Sequence, residues 1–328
     1  MVKILVTGGA GYIGSKIVND LIDNNYKVIV IDDLSTGHKL LINKKAKFYK
    51  SNISNTKKLD LIFKKNKCTH VIHLAAALSV PESQLNPLKY YTNNVLGTEN
   101  LLKLTVKHKI KFFLFSSTCA VYGNGSQAGI KEESFLLPES NYGKTKLMAE
   151  QLVQNYSNKH NVRFGILRYF NVIGADSKLR CGQVKASSLF GVLIKNIISK
   201  KYKINLYGNN YDTKDGTCIR DYIDINDLSK LHLLTLKKLK TTKSLILNCG
   251  YGKTYSNKEV VNLFSLIVKK KIKISTKPRR KGDVEKIFSN VAKFKKTFPN
   301  WTQEFSIRNS IQNSLKWKNV QNEFIKKS

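Results

Sequence analysis

Short apolar runs alternate with amphipathic stretches along the first half of the chain. Five of these runs are continuous rather than alternating, as expected for strands that are buried on both faces of a parallel sheet. The predicted strands are residues 4–7, 27–32, 70–75, 112–116 and 164–169. The predicted helices are residues 12–24, 93–108 and 142–159. This alternation predicts an α/β fold built on a doubly wound parallel sheet.

The pattern becomes looser after about residue 171. Loops rich in Gly and Asn separate shorter elements there, and a further apolar run at 245–249 is expected to rejoin the sheet. We therefore predict a first domain over residues 1–170, with a return segment near 220–250, and a smaller, interleaved C-terminal lobe over residues 171–328. The chain shows no internal repeat and no clean linker.

The composition excludes several classes of protein. Hydrophobic residues make up 41% of the 328 residues and charged residues 24%, which is typical of a globular chain. No apolar run approaches the roughly 20 residues of a membrane-spanning helix, and a strand pattern starts too near Met1 for a signal peptide, so we expect neither. The five cysteines are scattered and form no Cys-x-x-Cys pair. This argues against a disulfide framework or a metal site and favours the cytoplasm.

The formal net charge of +35 is the most unusual property of the composition. Large positive charge is common in proteins that bind nucleic acid. Here, however, the lysines occur in short scattered clusters such as 269–271, and no nucleic-acid-binding motif accompanies them. We therefore expect no nucleic-acid partner, although the charge could draw an anionic substrate towards its site.

A glycine-rich turn follows the first predicted strand and opens the first predicted helix. Its sequence is GGAGYIG over residues 8–14. The spaced residues Gly8, Gly11 and Gly14 suit a tight turn with positive φ, a close approach to a pyrophosphate, and tight packing of helix on strand. N–H groups at the helix start would face the phosphates. The turn predicts a dinucleotide site in a Rossmann-type domain.

An acidic residue ends the second predicted strand, about twenty residues after the turn. A carboxylate at this position, Asp32, accepts hydrogen bonds from the adenosine ribose hydroxyls and repels a 2′-phosphate. The neighbouring Asp33 is better suited to capping a turn. The cofactor is therefore predicted to be NAD rather than NADP.

Tyr142 and Lys146 form a candidate catalytic pair. They are four residues apart at the start of a predicted helix, so both side chains lie on one helical face. A tyrosine titrates near a pH of about 10 and is a poor base at neutral pH. A nearby ammonium and a positively charged nicotinamide ring would lower its pKa by favouring the phenolate. The strand before this pair ends in hydroxyl residues 116–118; these either contact a substrate oxygen or simply cap the strand end.

Taken together, these residues closely resemble the UDP-glucose 4-epimerase family of the extended short-chain dehydrogenases/reductases. The likeness runs through the whole chain, and its most specific stretch is DGTCIRDYIDINDL at 215–228, in the C-terminal lobe. The other matching stretches are TGGAGYIGS at 7–15, HLAA at 73–76, VPES at 80–83, YYTNNVLGT at 90–98, FSSTCAVYG at 115–123, YGKTK at 142–146, LRYFN at 167–171 and PRRKGD at 278–283.

The resemblance implies the 4-epimerisation of UDP-hexoses with a tightly bound NAD that is recycled. In that family the tyrosine takes the proton of the sugar 4-hydroxyl while C4 passes its hydride to the nicotinamide. The 4-keto sugar then turns over and receives the hydride back on its other face. The resemblance also implies a homodimer formed through helices of the first domain, here those predicted at 93–108 and 142–159.

Carried over residue by residue, the resemblance assigns three groups of site residues and no metal. The catalytic residues would be Thr118, Tyr142 and Lys146, with Thr118 in the place of the residue that hydrogen-bonds O4. The cofactor would contact Gly8, Gly11, Tyr12, Ile13, Gly14, Asp32, Asn52, Ile53, Asn93, Ser116, Tyr142, Lys146 and Phe170. The UDP-sugar would contact Thr118, Tyr142, Asn171, Ser188, Leu189, Arg220, Arg280, Asp283 and Ile287.

Several positions depart from the family pattern. Asn52 stands where many relatives carry an aspartate that meets the adenine amino group, and its amide can still accept a hydrogen bond. SSL at 187–189 replaces an asparagine-containing segment beside the substrate phosphates, and Gly191 replaces a usual proline. Ile287 aligns with a residue whose bulk helps to decide whether an N-acetylated sugar fits. Isoleucine is neither the small nor the bulky extreme, so this choice stays open.

Other functions remain as alternatives. The nearest is an epimerase of another UDP-sugar, such as UDP-GlcNAc, UDP-GalNAc or UDP-glucuronate. A dehydratase of the common type would carry Asp-Glu after the strand-end hydroxyl, where this chain has Cys119-Ala120. An NAD-binding redox sensor without turnover is the alternative from a different class, and the intact Thr118, Tyr142 and Lys146 argue against it.

Overall fold

The computed structural model describes residues 2–123, 129–186, 188–280 and 283–327, with side chains up to residue 322. These residues form two compact units. Residues within 1–123, 134–169 and 229–247 belong to the first unit, and residues within 124–133, 170–228 and 248–328 belong to the second. The chain therefore passes from one unit to the other several times.

Strands and helices alternate through the first 169 residues. In chain order they are β1 (Lys3–Thr7), α1 (Tyr12–Asp23), β2 (Lys27–Asp32), β3 (Lys47–Lys50), α2 (Thr56–Asn66), β4 (His70–His73), α3 (Val80–Leu85), α4 (Pro87–Tyr90), α5 (Gly97–Lys107), β5 (Phe112–Thr118), α6 (Asn141–His160) and β6 (Arg163–Tyr169). A π-helical segment, Tyr91–Leu96, joins α4 to α5.

The remaining elements are shorter on average and more varied. In chain order they are β7 (Asn171–Ile173), α7 (Leu189–Ile198), β8 (Lys203–Tyr207), β9 (Ile219–Asp224), α8 (Ile225–Lys238), β10 (Ser244–Cys249), β11 (Thr254–Ser256), α9 (Asn257–Val268), β12 (Lys273–Lys277), β13 (Lys286–Ile287), α10 (Ala292–Thr297) and α11 (Ile307–Lys327).

One sheet of seven strands forms the centre of the first unit, in the order β10-β6-β5-β4-β1-β2-β3. Every neighbouring pair from β3 to β6 is parallel. The predicted doubly wound sheet is therefore confirmed, and the run predicted at 245–249 joins it as β10. The strand order reverses next to β1, and ligands of such sheets bind at the carboxyl ends of the strands at this point.

Apolar side chains of the central strands bind the helices to this sheet. Leu5, Val71, Phe113 and Ile166 are buried in one cluster with residues of α2, α5 and α6. Burying each large side chain contributes about 1.5–3 kcal/mol. This cluster fixes α6, the helix of the candidate catalytic pair, against β5 and β6.

Some boundaries differ from those predicted. β4 ends at His73 rather than at residue 75, and the Ala75 N–H donates to the hydroxyl of Thr7 at 3.3 Å instead of continuing the strand. The helix predicted from residue 93 begins as a π-helical turn, and regular helix starts only at Gly97. β3 and α2 were not predicted, because β3 is a four-residue edge strand with a lysine at each end, and lysines also dilute the apolar pattern of α2.

The second unit is organised around β9. This strand pairs with β7, β11 and β13, while β8 and β12 form a separate parallel pair. Buried aromatic residues pack beneath β9, with Phe190 contacting both Tyr222 and Phe264. The second unit thus has its own hydrophobic core, as a separately folded lobe needs.

Buried aspartates of β9 and α8 connect the loops of the second unit. The carboxylate of Asp221 accepts hydrogen bonds from the backbone N–H and the hydroxyl of Ser289, at 3.0 and 2.5 Å. Asp227 accepts from the Phe305 N–H at 3.1 Å, and Asp224 accepts from the Asn226 N–H at 2.7 Å. These acids of the 215–228 stretch therefore stabilise the lobe itself.

Candidate active site

The turn between β1 and α1 needs glycine for a different reason at each position. Gly8 has a φ of +73°, a left-handed conformation that favours glycine, and a Cβ there would lie 2.7 Å from the Ala75 nitrogen. A Cβ on Gly14 would lie 2.1 Å from the Gly8 oxygen, whereas a Cβ on Gly11 would meet only that oxygen, at 3.2 Å. The fold requires Gly8 and Gly14. The backbone at Gly11 is open to an approaching ligand.

The start of α1 is suited to an anion. Gly11 is its N-cap residue, so no side chain caps the helix, and the first turn, which contains Tyr12, Ile13 and Gly14, has no acidic residue. N–H groups at a helix start carry a partial positive charge. Because α1 follows the carboxyl end of β1, where the strand order reverses, this helix start is of the kind that binds a pyrophosphate.

Asp32 is anchored beside the same turn. Its carboxylate accepts a hydrogen bond from the Ala10 N–H at 3.0 Å and another from the Leu34 N–H at 2.9 Å. Burial raises the pKa of this carboxyl because desolvation outweighs the two hydrogen bonds. The neighbouring Asp33 accepts from the Ser35 N–H at 2.9 Å and so caps the following turn, as predicted.

Asn52 and Ile53 follow β3 at the same edge of the sheet. The Asn52 side chain donates to an Asp33 carboxylate oxygen at 2.6 Å, and its own oxygen accepts from the Ser54 N–H at 2.8 Å. Ile53 is buried against α5, since a Cβ on Gly97 would lie 2.5 Å from the Ile53 Cδ1. Asn52 thus keeps one lone pair of its amide oxygen for a further donor.

The predicted cofactor residue Asn93 lies in the π-helical segment, a conformation that is frequent at functional sites. Its side chain donates to the Asn94 side-chain oxygen at 3.1 Å. Asn94 is buried and connects the loop after β4, through the Ala77 N–H at 2.8 Å, with α6, through the Thr145 hydroxyl at 3.2 Å. Sequence reasoning missed this role because two adjacent asparagines give no signal of which one faces inward.

Tyr142, Lys146 and Thr118 come together at the carboxyl end of β5. Ser140 caps α6, which places Tyr142 in the first turn and Lys146 one turn later. The Lys146 Nζ donates to the backbone oxygen of Ser116 at 2.7 Å, and the Thr118 side chain lies close enough to Tyr142 to lower the pKa of its hydroxyl. The structure therefore brings together the predicted pair and the predicted hydroxyl.

The hydroxyl residues at the end of β5 have different partners. Thr118 contacts Tyr142 and also accepts a hydrogen bond from the Ala120 N–H at 3.2 Å, so the capping interpretation applies to it as well. The Ser117 hydroxyl instead donates to the buried Glu150. Of Ser117 and Thr118, Thr118 is therefore the one placed to reach a substrate that approaches Tyr142.

Burial changes the pKa of both members of the pair. Desolvation raises the pKa of Tyr142 to about 12, against a smaller opposite effect of the hydrogen bond with Thr118. Desolvation also lowers the pKa of Lys146 to about 7, and the Glu150 carboxylate acts in the opposite direction. In the chain without cofactor the pKa of Tyr142 is therefore raised rather than lowered, because desolvation is the largest effect on it. A buried phenolate needs further positive charge to stabilise it.

A pocket of about 400 Å³ in the second unit collects residues predicted to bind UDP. Four of them line it: Ser188, Leu189, Arg280 and Asp283. Asn205 and Tyr207 of β8 also line it and were not predicted. The Arg280 guanidinium lies 3.5 Å from the centre of the Tyr207 ring, a cation–π contact. An aromatic residue in a short lobe strand carries no sequence signal of this role.

Arg220 and Ile287 lie side by side but are not among the described residues that line this pocket. They are register partners in the parallel pairing of β9 with β13. Arg220 donates to the backbone oxygens of Ile219 and Glu285, at 2.9 and 3.3 Å, and Ile287 is buried. These bonds fix one nitrogen of the guanidinium and leave the other two for a further partner.

The remaining predicted residues lie at two places in the second unit. Phe170 is buried, with its N–H donating to the Cys249 oxygen at 3.1 Å, and Asn171 begins β7 opposite Tyr222. Ser188 caps α7 by accepting from the Gly191 N–H at 3.1 Å, while Ser187 lies outside the described residues. A proline at position 191 would lack the N–H that makes this capping bond.

The described residues also bear on other kinds of site. Within these ranges, no group of three or more His, Cys, Asp or Glu residues could hold a metal ion. No helix in the same part of the chain has the length and the apolar character to cross a membrane. All five cysteines are free thiols.

The doubly wound sheet, the glycine-rich turn at its reversal point and the Tyr142–Lys146 pair define a nicotinamide-dependent protein of the short-chain dehydrogenase/reductase class. Comparison with known proteins narrows this class. The model of the NAD dependent epimerase/dehydratase family matches residues 4–250, and the chain belongs to that family.

Curated relatives match almost the whole chain. The UDP-glucose 4-epimerase of Lactobacillus helveticus is 38% identical over 319 residues, which cover 96% of this chain and 96% of that protein. The putative UDP-arabinose 4-epimerase 4 of Arabidopsis thaliana is 35% identical over 333 residues, covering 97% of this chain and 76% of that protein.

Solved structures share the fold of both units. UDP-glucose 4-epimerase from Bifidobacterium longum, in complex with NAD+ and UDP, matches with a TM-score of 0.92 and 30% identity over 98% of this chain and 99% of that chain. The UDP-Glc/GlcNAc 4-epimerase from Campylobacter jejuni matches with a TM-score of 0.84 and 36% identity over 98% of this chain and 100% of that chain.

Proposed function

We propose that the protein catalyses the NAD-dependent 4-epimerisation of UDP-hexoses, interconverting UDP-glucose and UDP-galactose through a transient 4-keto sugar. The observation that carries this proposal is the placement of Tyr142 and Lys146 on successive turns of α6 beside the end of β5, where Thr118 lies and where Lys146 is fixed to Ser116. These groups can hold a sugar hydroxyl and move its proton. A relative that is 38% identical over 96% of this chain is a UDP-glucose 4-epimerase.

The first unit has the features that NAD requires. Bound NAD supplies the reversible acceptance of a hydride from the sugar carbon. We assign the pyrophosphate to the open backbone at Gly11 and the start of α1, and the adenosine ribose to Asp32. The further cofactor contacts that we propose are Gly8, Tyr12, Ile13, Gly14, Asn52, Ile53, Asn93, Ser116, Lys146 and Phe170.

Tyr142 acts first as the base and then as the acid. Since burial raises its pKa to about 12, the protein alone keeps the phenol protonated at neutral pH. The positive charges of Lys146 and of a nicotinamide ring favour the phenolate, which then accepts the proton of the sugar 4-hydroxyl. Thr118 orients the same sugar oxygen. Once the sugar has turned over and its C4 has regained the hydride on the other face, Tyr142 returns the proton to the C4 oxygen.

The second unit binds the UDP portion in this proposal. The fork of donors on Arg280 suits a diphosphate, and the Tyr207 ring offers a face for stacking. Asp283 can accept hydrogen bonds from ribose hydroxyls, and Ser188 and Leu189 complete the pocket. Arg220 provides the second positive charge for the diphosphate, with Asn171 and Ile287 assigned to the sugar.

We also propose a homodimer formed through α5 and α6. The helices α3, α4 and α5 each pack against α6. Large apolar side chains of this helical group are exposed to solvent: Leu85, Leu88, Leu96 and Met148. A second copy of the chain that covered these side chains would remove apolar surface from water. A cytoplasmic location accords with the five free thiols.

The assay of the proposed function uses the full chain as purified. NAD released by denaturing the protein is quantified, and the protein is incubated separately with UDP-glucose, UDP-galactose, UDP-GlcNAc, UDP-GalNAc, UDP-arabinose and UDP-glucuronate. We expect bound NAD and conversion of UDP-glucose to UDP-galactose without added cofactor. Absence of this conversion would contradict the proposal.

The same panel tests the alternative that another UDP-sugar is the main substrate. The names of two relatives favour this alternative, since one is a putative UDP-arabinose 4-epimerase and another a UDP-Glc/GlcNAc 4-epimerase. A higher kcat/KM for UDP-arabinose or for an N-acetylated sugar than for UDP-glucose would replace the first assignment. Bound NAD with no conversion of any sugar would support a redox sensor.

A further inference from the structure

A buried ion pair between Glu150 and Arg168 lies one turn of α6 beyond Lys146. Arg168 of β6 donates to both carboxylate oxygens of Glu150 on α6, through Nε at 3.0 Å and through Nη2 at 2.7 Å. Arg168 is 2% exposed and Glu150 is 0% exposed. Charges so far from water are costly unless they are paired and fully hydrogen-bonded. Such a bidentate pair is therefore kept in a definite geometry.

Glu150 lies on the same helical face as the catalytic pair. Residues spaced by four along a helix are neighbours on its surface, so Tyr142, Lys146 and Glu150 form one row on α6. Lys146 binds the backbone oxygen of Ser116, and Glu150 accepts the hydroxyl of the next residue, Ser117. Two adjacent residues of β5 are thus tied to two successive turns of α6.

Arg168 extends these contacts to the segment that follows Thr118. It stands opposite Ser117 in the parallel pairing of β5 with β6. Its Nη1 donates to the hydroxyl of Tyr122 at 2.7 Å, just beyond the short turn that follows Thr118. The ion pair therefore fixes the chain immediately before and shortly after the hydroxyl that meets Tyr142.

Glu150 also acts on the charge of Lys146. Its carboxylate favours the ammonium form and so opposes the desolvation that lowers the lysine pKa. The other groups that face Lys146 are uncharged: Tyr142 on its own helix, the Phe115 ring of β5 at 4.6 Å, and His73 of β4, whose pKa is lowered well below its usual value by burial and by Lys146. Glu150 is thus the acid whose charge acts on this lysine among the described residues.

We propose that Glu150 and Arg168 are positioning residues of the proposed active site. The pair holds the end of β5 so that Thr118 meets Tyr142, and the Glu150 carboxylate keeps Lys146 charged for its bond to Ser116. This inference rests on the proposed function, because it assigns a purpose to residues that touch neither substrate nor cofactor.

The first test is Glu150→Gln, which keeps the shape of the side chain and removes its charge. We expect kcat for UDP-galactose to fall about ten- to a hundredfold, the usual effect of a misplaced catalytic group. KM should change little, because neither Glu150 nor Arg168 is among the described residues that line the pocket assigned to UDP. The high-pH limb of the kcat profile should move about one unit lower, since Lys146 loses its proton more easily. A pH profile identical to that of the wild type would overturn the proposal.

Asp60→Asn is the matched control. It removes a half-exposed carboxylate of the first unit, whose partners Lys107 and His108 each lie 2.6 Å away, and should leave both kcat and its pH profile unchanged. If Glu150→Gln does not fold because Arg168 is left uncompensated, Glu150→Gln with Arg168→Met removes both charges. The same shift of the high-pH limb is expected in that double variant, and its absence would count against the proposal equally.

A second test needs no turnover and so separates this inference from the epimerase assignment. Denaturant unfolding of the wild type, Lys146→Met, Glu150→Gln and their combination at pH 6 forms a double-mutant cycle. Glu150→Gln should destabilise the wild type more than it destabilises Lys146→Met. Equal effects would overturn the coupling even in an active epimerase. A clear difference in a protein that converts no UDP-sugar would support the coupling and overturn the proposed function instead.

Discussion

The Lys146 Nζ donates to the backbone oxygen of Ser116 at 2.7 Å, two residues before the Thr118 hydroxyl that meets Tyr142. The lysine is 2% exposed, and this burial lowers its pKa to about 7. The hydrogen bond to Ser116 therefore offsets part of the desolvation cost of the Lys146 ammonium. It also ties α6 to β5 at the position where the proposed chemistry occurs.

Lys146 should make stability depend on pH in a defined direction. Its folded pKa of about 7 lies below its ordinary value of 10.5, so its contribution to stability is complete above the ordinary value and is lost as the pH falls through 7. The unfolding free energy of Lys146→Met minus that of the wild type should therefore decrease as the pH rises from 6 to 9. Denaturant titrations across this range measure the difference.

Lys144→Met provides the control for this trend, because Lys144 is exposed on the same helix. Its difference from the wild type should stay flat over the same pH range. An increase with pH for Lys146→Met, or an equal decrease for both variants, would show that burial of Lys146 is not the cause.

Tyr142→Phe removes the proposed proton acceptor while keeping the ring. Turnover should fall about 10²- to 10⁴-fold, the usual contribution of a general base, while bound NAD and the unfolding midpoint stay close to those of the wild type. Turnover in the UDP-sugar assay and NAD released on denaturation measure these two quantities. Tyr156→Phe, on the same helix, is the control and should retain turnover. Full activity of Tyr142→Phe would remove the tyrosine from the mechanism.

The motifs of the first unit could be predicted because they depend on neighbours in the sequence. β2 has the bounds predicted for it, and Tyr142 and Lys146 share a helical face because they are four residues apart. The same reasoning found Gly8, whose positive φ belongs to the turn, and Gly14, whose Cβ would meet the Gly8 oxygen within the same turn. Local spacing carries this information without any knowledge of the fold.

The interactions that determine charge could not be predicted in this way. Glu150 and Arg168 belong to different elements, and a lysine-rich chain gives no pattern that distinguishes a buried ion pair from solvated charges. The lowered pKa of Lys146 and the raised pKa of Tyr142 follow from burial in three dimensions. Sequence reasoning therefore proposed the catalytic groups but did not anticipate that burial raises the pKa of Tyr142 in the chain without its cofactor.

Gly14→Ala and Gly11→Ala should separate the needs of the fold from those of the cofactor. A methyl group on Gly14 would lie 2.1 Å from the Gly8 oxygen, so this variant should lose about 1–3 kcal/mol of unfolding free energy. Gly11 has a φ of −82° and only one contact, at 3.2 Å, so its variant should fold normally yet lose NAD. Unfolding midpoints and NAD content measure both effects. A Gly11→Ala protein with full NAD content would place the pyrophosphate elsewhere.

Arg280→Ala tests whether the 400 Å³ pocket binds UDP. Loss of charge-assisted hydrogen bonds to a diphosphate should weaken UDP binding about ten- to a hundredfold, measured by titration calorimetry with UDP, while NAD content stays unchanged. The adjacent Arg279 is the control, because it packs 4.0 Å from the centre of the Tyr211 ring, donates to Asn210 at 2.7 Å, and is not among the described lining residues. If Arg279→Ala weakened UDP binding more than Arg280→Ala, the pocket would have to be given up as the UDP site.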